Sequence, residues 1–119
     1  MRKKVLLVED DDDFRDMLSR LLELEGFSVV SVGNCIKALS LFYTQHPSAV
    51  VTDLGLPDLS GFELIRWARG KREFADIPII AISSYGRTHL RAALANGATE
   101  ALDKTEDLDH LVNILAKVA

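Results

Sequence analysis

The chain has 119 residues, 48% apolar and 27% charged, with a formal charge of −4 at pH 7. This size and balance suit one folded domain spanning 1–119, and the acidic sum argues against direct nucleic-acid binding, which calls for a basic footprint. Cys35 is the only cysteine. That excludes an intrachain disulfide and a cysteine-built zinc site, and it fits a reducing, cytoplasmic setting. The basic start Met1-Arg2-Lys3-Lys4 leads into a short apolar run that ends at Val8 before acids begin, too short for the core of a signal peptide. No stretch approaches membrane-spanning length.

In chain order, residues 4–8 read as a strand, apolar throughout after Lys4 and so buried on both faces. Asp11 or Asp12 can cap the helix that follows, because a carboxylate there accepts orphan backbone N–H groups. Phe14, Met17, Leu18, Leu21 and Leu22 fall on one stripe of that helix, and Gly26 ends it. A second strand covers 28–32. Asn34 caps a helix with the stripe Cys35, Ala38, Leu39 and Phe42, which places Cys35 in the core. A third strand covers 49–53, and the loop 54–59 contains Pro57. Ser60 and Glu63 form a capping-box pattern ahead of Leu64, Ile65 and Ala68. Trp67 lies between these apolar positions and is expected to be partly exposed.

Residues 70–76 read as a polar connection. A fourth strand covers 77–83 with Pro78 at its edge, a helix covers 87–96 and closes at Gly97, and a fifth strand covers 99–102. Leu108, Leu111, Val112 and Leu115 mark the last helix. Five βα units imply a parallel sheet covered on both faces, most simply a flavodoxin-like (βα)5 sandwich in strand order 2-1-3-4-5. Such sheets bind ligands beyond the carboxyl ends of their strands, where the order reverses, here between the first and third strands.

The residues at those ends carry the chemistry. The first strand finishes in Glu9-Asp10-Asp11, the third in Asp53 and the fourth in Ser83-Ser84, and Lys104 follows the fifth. Taken singly, each has a commonplace explanation: a helix cap, a solvated lysine, a strand-end hydroxyl. Taken together, they put several carboxylates at one edge, where mutual repulsion favours a divalent cation. Oxygen-only ligands on a small site favour magnesium. Magnesium attracts a phosphoryl group, whose oxygens a lysine and a hydroxyl can hold.

The segments Val5-Leu-Leu-Val-Glu-Asp-Asp11, Val50-Val-Thr-Asp-Leu-Gly-Leu-Pro-Asp-Leu-Ser-Gly61, Ile79-Ile-Ala-Ile-Ser-Ser84 and Asn96-Gly-Ala-Thr-Glu-Ala-Leu-Asp-Lys104 resemble the receiver domains of bacterial response regulators in two-component signalling. The resemblance covers nearly the whole chain. It implies that Asp53 is the phosphoacceptor, that Asp10, Asp53 and the Gly55 backbone carbonyl bind Mg2+, and that Glu9 acts on the metal through water. Ser83 matches the hydroxyl that moves toward the phosphoryl group, Ser84 the small residue beside it, and Lys104 the lysine that pairs with phosphorylated aspartate. Pro57 and Gly61 match the shape of the loop after the acceptor. A histidine kinase or phosphotransfer protein is the implied donor, and a monomer or weak dimer the implied state. The domain would catalyse only its own phosphorylation and dephosphorylation, and so would not be an enzyme in the metabolic sense.

Two positions depart from the family. Thr105 stands where proline usually follows the lysine across a cis bond. A cis bond before threonine costs about 2.5–4 kcal/mol, so either a trans bond with an adjusted loop or a strained cis bond is expected. Ala101 stands where the family usually has a ring that turns inward. Tyr85, directly after Ser84, could serve as a gate or simply shield the rim. These departures feed an alternative, a receiver-like binding module that works without phosphorylation. An aspartate-nucleophile phosphohydrolase is disfavoured, because such enzymes carry Asp-x-Asp after the first strand, and a flavin-binding role is weaker still. His46, His89 and His110 show no metal spacing, and none reads as a phosphohistidine site.

Overall fold

A computed structural model describes residues 2–119; Met1, the first residue of the basic start, lies outside them. The elements are β1 (Lys4–Val8), α1 (Asp12–Leu24), β2 (Ser28–Val32), α2 (Cys35–Gln45), β3 (Ala49–Asp53), α3 (Gly61–Arg69), β4 (Ile79–Ser83), α4 (Arg87–Ala95), β5 (Glu100–Asp103) and α5 (Leu108–Val118). A 3-10 turn (Arg72–Phe74) precedes β4. The strands pair in parallel in the order β2-β1-β3-β4-β5, the expected flavodoxin-like arrangement.

Alternation along the strands divides the core into two layers. Val5 and Leu7 of β1 pack with Leu18, Leu22, Leu111 and Leu115, so α1 and α5 cover one face. Leu6 and Val8 pack with Cys35, Phe42, Leu64, Ile65 and Ala93, so α2, α3 and α4 cover the other. The two faces explain why β1, β3 and β4 are apolar almost throughout. Burial lifts the Cys35 thiol to a pKa of about 11, with the charges of Asp58 and Glu63 adding to the effect. That leaves Cys35 an inert core residue.

The structure corrects four expectations. β4 begins at Ile79 rather than at 77, because Pro78 has no N–H to pair; its carbonyl still accepts from Val50 N–H at 2.9 Å. β5 runs one residue later than 99–102. Thr99 precedes the strand: its N–H still donates to the Ile79 carbonyl at 2.8 Å, but its hydroxyl, in place of a main-chain carbonyl, accepts the Ile79 N–H at 3.0 Å. The 70–76 connection is not wholly polar: Phe74 is buried and meets Phe42 edge-on at 5.0 Å between ring centroids. Met17 is 43% exposed, at the margin of the α1 stripe. Among the described residues, no helix is long and apolar enough to cross a membrane.

Candidate functional site

The register brings the strand ends level: Val8 opposes Thr52, Asp53 opposes Ile82, and Ser83 opposes Asp103. The next residue on β1, Glu9, is locked by its backbone. Its N–H donates to the Val32 carbonyl at 3.0 Å, and its own carbonyl accepts from Arg15 Nη1 at 2.9 Å. Arg15 also pairs with Asp12 at 2.6 Å, so one turn of α1 is tied back to the end of β1. The α1 cap is Asp11, whose Oδ1 accepts from Phe14 N–H at 2.9 Å. The Asp11 N–H in turn donates to Glu9 Oε2 at 3.1 Å.

Glu9 is fully buried, Asp53 is 5% exposed and Asp10 is exposed. One carboxylate oxygen from each lies within 4.8 Å of the others. Lys104 completes the cluster, with Nζ 2.5 Å from Glu9 Oε1 and 3.3 Å from Asp53 Oδ2. Glu9 Oε1 is buried, and the Lys104 ammonium is its one close charged partner among the described residues. The third side of the ammonium faces the Phe14 ring, 4.8 Å from its centroid.

Burial raises the Glu9 carboxyl from 4.5 to about 7, against the pull of the Lys104 cation and the Asp11 amide and with help from the Asp53 charge. Burial opposes the charge on Lys104 as well, but the Glu9 and Asp53 carboxylates outweigh it and its pKa lies above the ordinary lysine value. Three carboxylates against one ammonium leave an excess of negative charge, two of them nearly out of water. A divalent cation with oxygen ligands fits that excess, and the exposed Asp10 leaves room for the waters that magnesium keeps.

The loop after Asp53 folds tightly back onto that residue. The Gly61 N–H donates to the Leu54 carbonyl at 3.0 Å. A Cβ on Gly61 would lie 2.2 Å from the Asp53 carbonyl oxygen and 2.8 Å from Leu54 Cα, so only glycine lets α3 start this close. Asp58 anchors the same loop elsewhere: its two carboxylate oxygens accept the Cys35 and Ile36 N–H groups at 2.9 Å each. Helix α2 therefore has a second cap beside Asn34, whose Oδ1 accepts from Lys37 N–H at 2.9 Å. Gly55 is exposed, and the Tyr85 ring lies so near that a Cβ there would meet its Cε2 at 3.1 Å. Ser83 is buried and its Oγ accepts from the Tyr85 N–H at 3.0 Å, while Ser84 is exposed.

Residues 5–116 match a family model described as the response regulator receiver domain. The chain belongs to that family. It is 38% identical, over 93% of its own length and 86% of the relative's, to a 14.6 kDa protein from the sodA1 3' region of Leptolyngbya boryana. It is 29% identical, over 85% and 82%, to the polar-differentiation response regulator DivK of Brucella ovis. Among solved structures it superposes on the chemotaxis response regulator CheY4 of Vibrio cholerae with TM-score 0.89 and 25% identity, covering both chains fully. The BeF3-activated receiver domain of Klebsiella pneumoniae RstA gives TM-score 0.89 and 25% identity over 98% and 97%. This receiver domain is thus a two-component signalling module, and it carries an acidic cluster, Glu9, Asp10 and Asp53, that could hold a metal ion.

Both departures from the family pattern have a visible form. No cis peptide bond occurs among the described residues, so the Lys104–Thr105 bond is trans and the loop is adjusted instead. Ala101 is half-buried and packs toward the layer of α2, α3 and α4. Tyr85 is 64% exposed and lies beside His89, with ring centroids 5.3 Å apart. Sequence reasoning missed Arg15, Asp58, Asp103 and the role of Phe14 as a face for Lys104. The partners of Asp58 and Phe14 are remote in sequence and leave no local pattern. Asp103 did leave one, as the first residue of an Asp-x-Thr turn. Trp67 is half-buried as expected, in an edge-on contact with Phe42 at 5.1 Å.

Proposed function

We propose that Asp53 accepts a phosphoryl group from phosphohistidine on a histidine kinase or phosphotransfer protein in the cytoplasm, and that the modified domain changes which protein it binds. The observation that carries this reading is the Asp53 carboxylate set 3.3 Å from the Lys104 ammonium beside the Glu9–Asp10 pair. Lys104 lies beside Oδ2, and a carboxylate oxygen of Asp53 attacks the phosphorus. The new P–O bond forms in line with the P–N bond that breaks, and the imidazole leaves. Magnesium, when held by Asp10, Asp53, the Gly55 carbonyl and, through water, Glu9, supplies charge that offsets the phosphoryl oxygens.

After transfer, Lys104 exchanges its carboxylate partners for a phosphoryl oxygen. The Ser83 hydroxyl accepts from the Tyr85 N–H, so its own hydrogen is available to donate to another. Movement of Ser83 therefore pulls on Tyr85. With no ring at Ala101, Tyr85 is the aromatic that carries the change outward, and the two surface states shift in population. Hydrolysis of the acyl phosphate resets the domain.

The test is intact mass after incubation with acetyl phosphate. One added phosphoryl group that requires magnesium and is absent in Asp53→Asn supports the reading. No adduct under the same conditions overturns it in favour of a module that binds without phosphorylation.

A further inference from the structure

Lys104 reaches the acids from a point where the chain leaves the sheet. Its N–H donates to the Ser83 carbonyl at 3.0 Å, the last rung between β4 and the strand beside it. The chain then reverses toward α5, and the carboxylate of Asp103 sits inside the reversal. Asp103 Oδ1 accepts from the Thr105 N–H at 2.8 Å, from the Thr105 hydroxyl at 2.7 Å and from the Glu106 N–H at 3.0 Å. The Asp103 N–H donates to Asp107 Oδ2, and its carbonyl accepts from the Asp107 N–H, both at 3.1 Å. Lys104 is the residue these bonds enclose.

We infer that Asp103 is a positioning residue for Lys104, holding it on target through a hydrogen-bonded Asp103–Thr105 turn in a loop that has no proline to stiffen it. The inference rests on the phosphoacceptor reading above. Three features of the site support it. Asp103 pairs with no cation among the described residues, so its carboxylate serves the turn alone. A proline at 105 could donate neither of the two Thr105 bonds, so the turn and the threonine belong together. The Lys104 ammonium meets partners from three other elements, Glu9 after β1, Asp53 on β3 and Phe14 on α1. A small rotation of its backbone would therefore break all three contacts. The carboxyl of Asp103 is held below its ordinary pKa by the Thr105 hydroxyl and then by the two N–H groups, in keeping with a charge those donors stabilise.

Lys104 touches phosphoryl oxygens but is not a metal ligand, and this gives the test. Magnesium affinity and the magnesium-dependent affinity for beryllofluoride are measured by calorimetry on the wild type, Asp103→Ala, Asp103→Asn and Thr105→Val. The expected result for Asp103→Ala is beryllofluoride binding weakened about tenfold, with magnesium affinity unchanged within about twofold, since three bonds to a charged acceptor are lost and no ligand is. Asp103→Asn keeps the Oδ1 acceptor and recovers most of the loss. Thr105→Val keeps the N–H bond and loses only the hydroxyl bond, giving a smaller weakening. Equal beryllofluoride affinity in wild type and Asp103→Ala overturns the inference alone. So does a parallel loss of magnesium and beryllofluoride, which marks a merely structural turn. A wild type that binds no beryllofluoride overturns the phosphoacceptor reading and this inference with it.

Discussion

Lys104 Nζ lies closer to Glu9 Oε1, at 2.5 Å, than to Asp53 Oδ2, at 3.3 Å. The lysine thus rests mainly on a buried acid other than Asp53, and burial raises the pKa of that acid to about 7. The single ammonium offsets the charge of the three carboxylates only in part, an excess that a cation would balance.

The pH dependence of stability follows from Glu9. Its pKa rises from 4.5 to about 7 on folding, chiefly through burial. Between those values the folded protein holds a proton that the unfolded chain has released. The stability from this group is full below pH 4.5, falls as pH rises and levels off above about 7. In metal-free protein the decline is on the order of 1–3 kcal/mol. Denaturant unfolding of wild type and Glu9→Gln across this range measures it, and the mutant should lack that part of the slope. Identical slopes would mean that Glu9 does not titrate there.

Two glycines near Asp53 should answer substitution differently. In Gly61→Ala the new Cβ meets the backbone of Asp53 and Leu54, which cannot swing aside. A loss of about 2 kcal/mol or more is expected, as for other overpacked sites. In Gly55→Ala the obstacle is the exposed Tyr85 ring, which can rotate away. Stability there should change by no more than about 0.5 kcal/mol. Thermal or denaturant unfolding separates the two, and equal losses would contradict the assignment of what each Cβ meets.

Asp58 should behave as a helix cap placed from a distance. Slight burial works against its charge, but the N–H groups of Ile36, Cys35 and Leu59 hold its carboxyl below the ordinary range. Its contribution is therefore present above the usual carboxylate pKa and lost as pH falls through the lowered value. Asp58→Ala should cost about 1 kcal/mol at neutral pH, and Asp58→Asn less, because one oxygen acceptor survives. Hydrogen exchange at the amides of Cys35 and Ile36 should quicken in Asp58→Ala, and unchanged protection there would count against the cap.

The sheet order and the meeting of Glu9, Asp10, Asp53, Ser83 and Lys104 at one edge were legible in the sequence, because alternating apolar runs force a parallel sheet and the acids sit at strand ends. What was not legible depends on contacts across the fold. Nothing near Asp58 says that it reaches α2, and nothing near Phe14 says that its ring faces a lysine 90 residues later. Met17 misled because helical period marks a face and only packing decides how wide that face is, and Phe74 because a single ring in a polar connection is buried only through contacts across the fold, that with Phe42 among them. The start of β5 slipped by one residue because the Thr99 hydroxyl stood in for a ladder carbonyl, a choice that local propensity does not encode.

The most direct test of the central claim is the site of modification. Protein treated with acetyl phosphate and magnesium is reduced with borohydride, which converts an aspartyl phosphate to homoserine, and its peptides are mapped by mass spectrometry. Homoserine at position 53, absent without magnesium, is the predicted result. Homoserine at Asp10 or elsewhere, or none at all, would contradict the assignment of Asp53 as the phosphoacceptor.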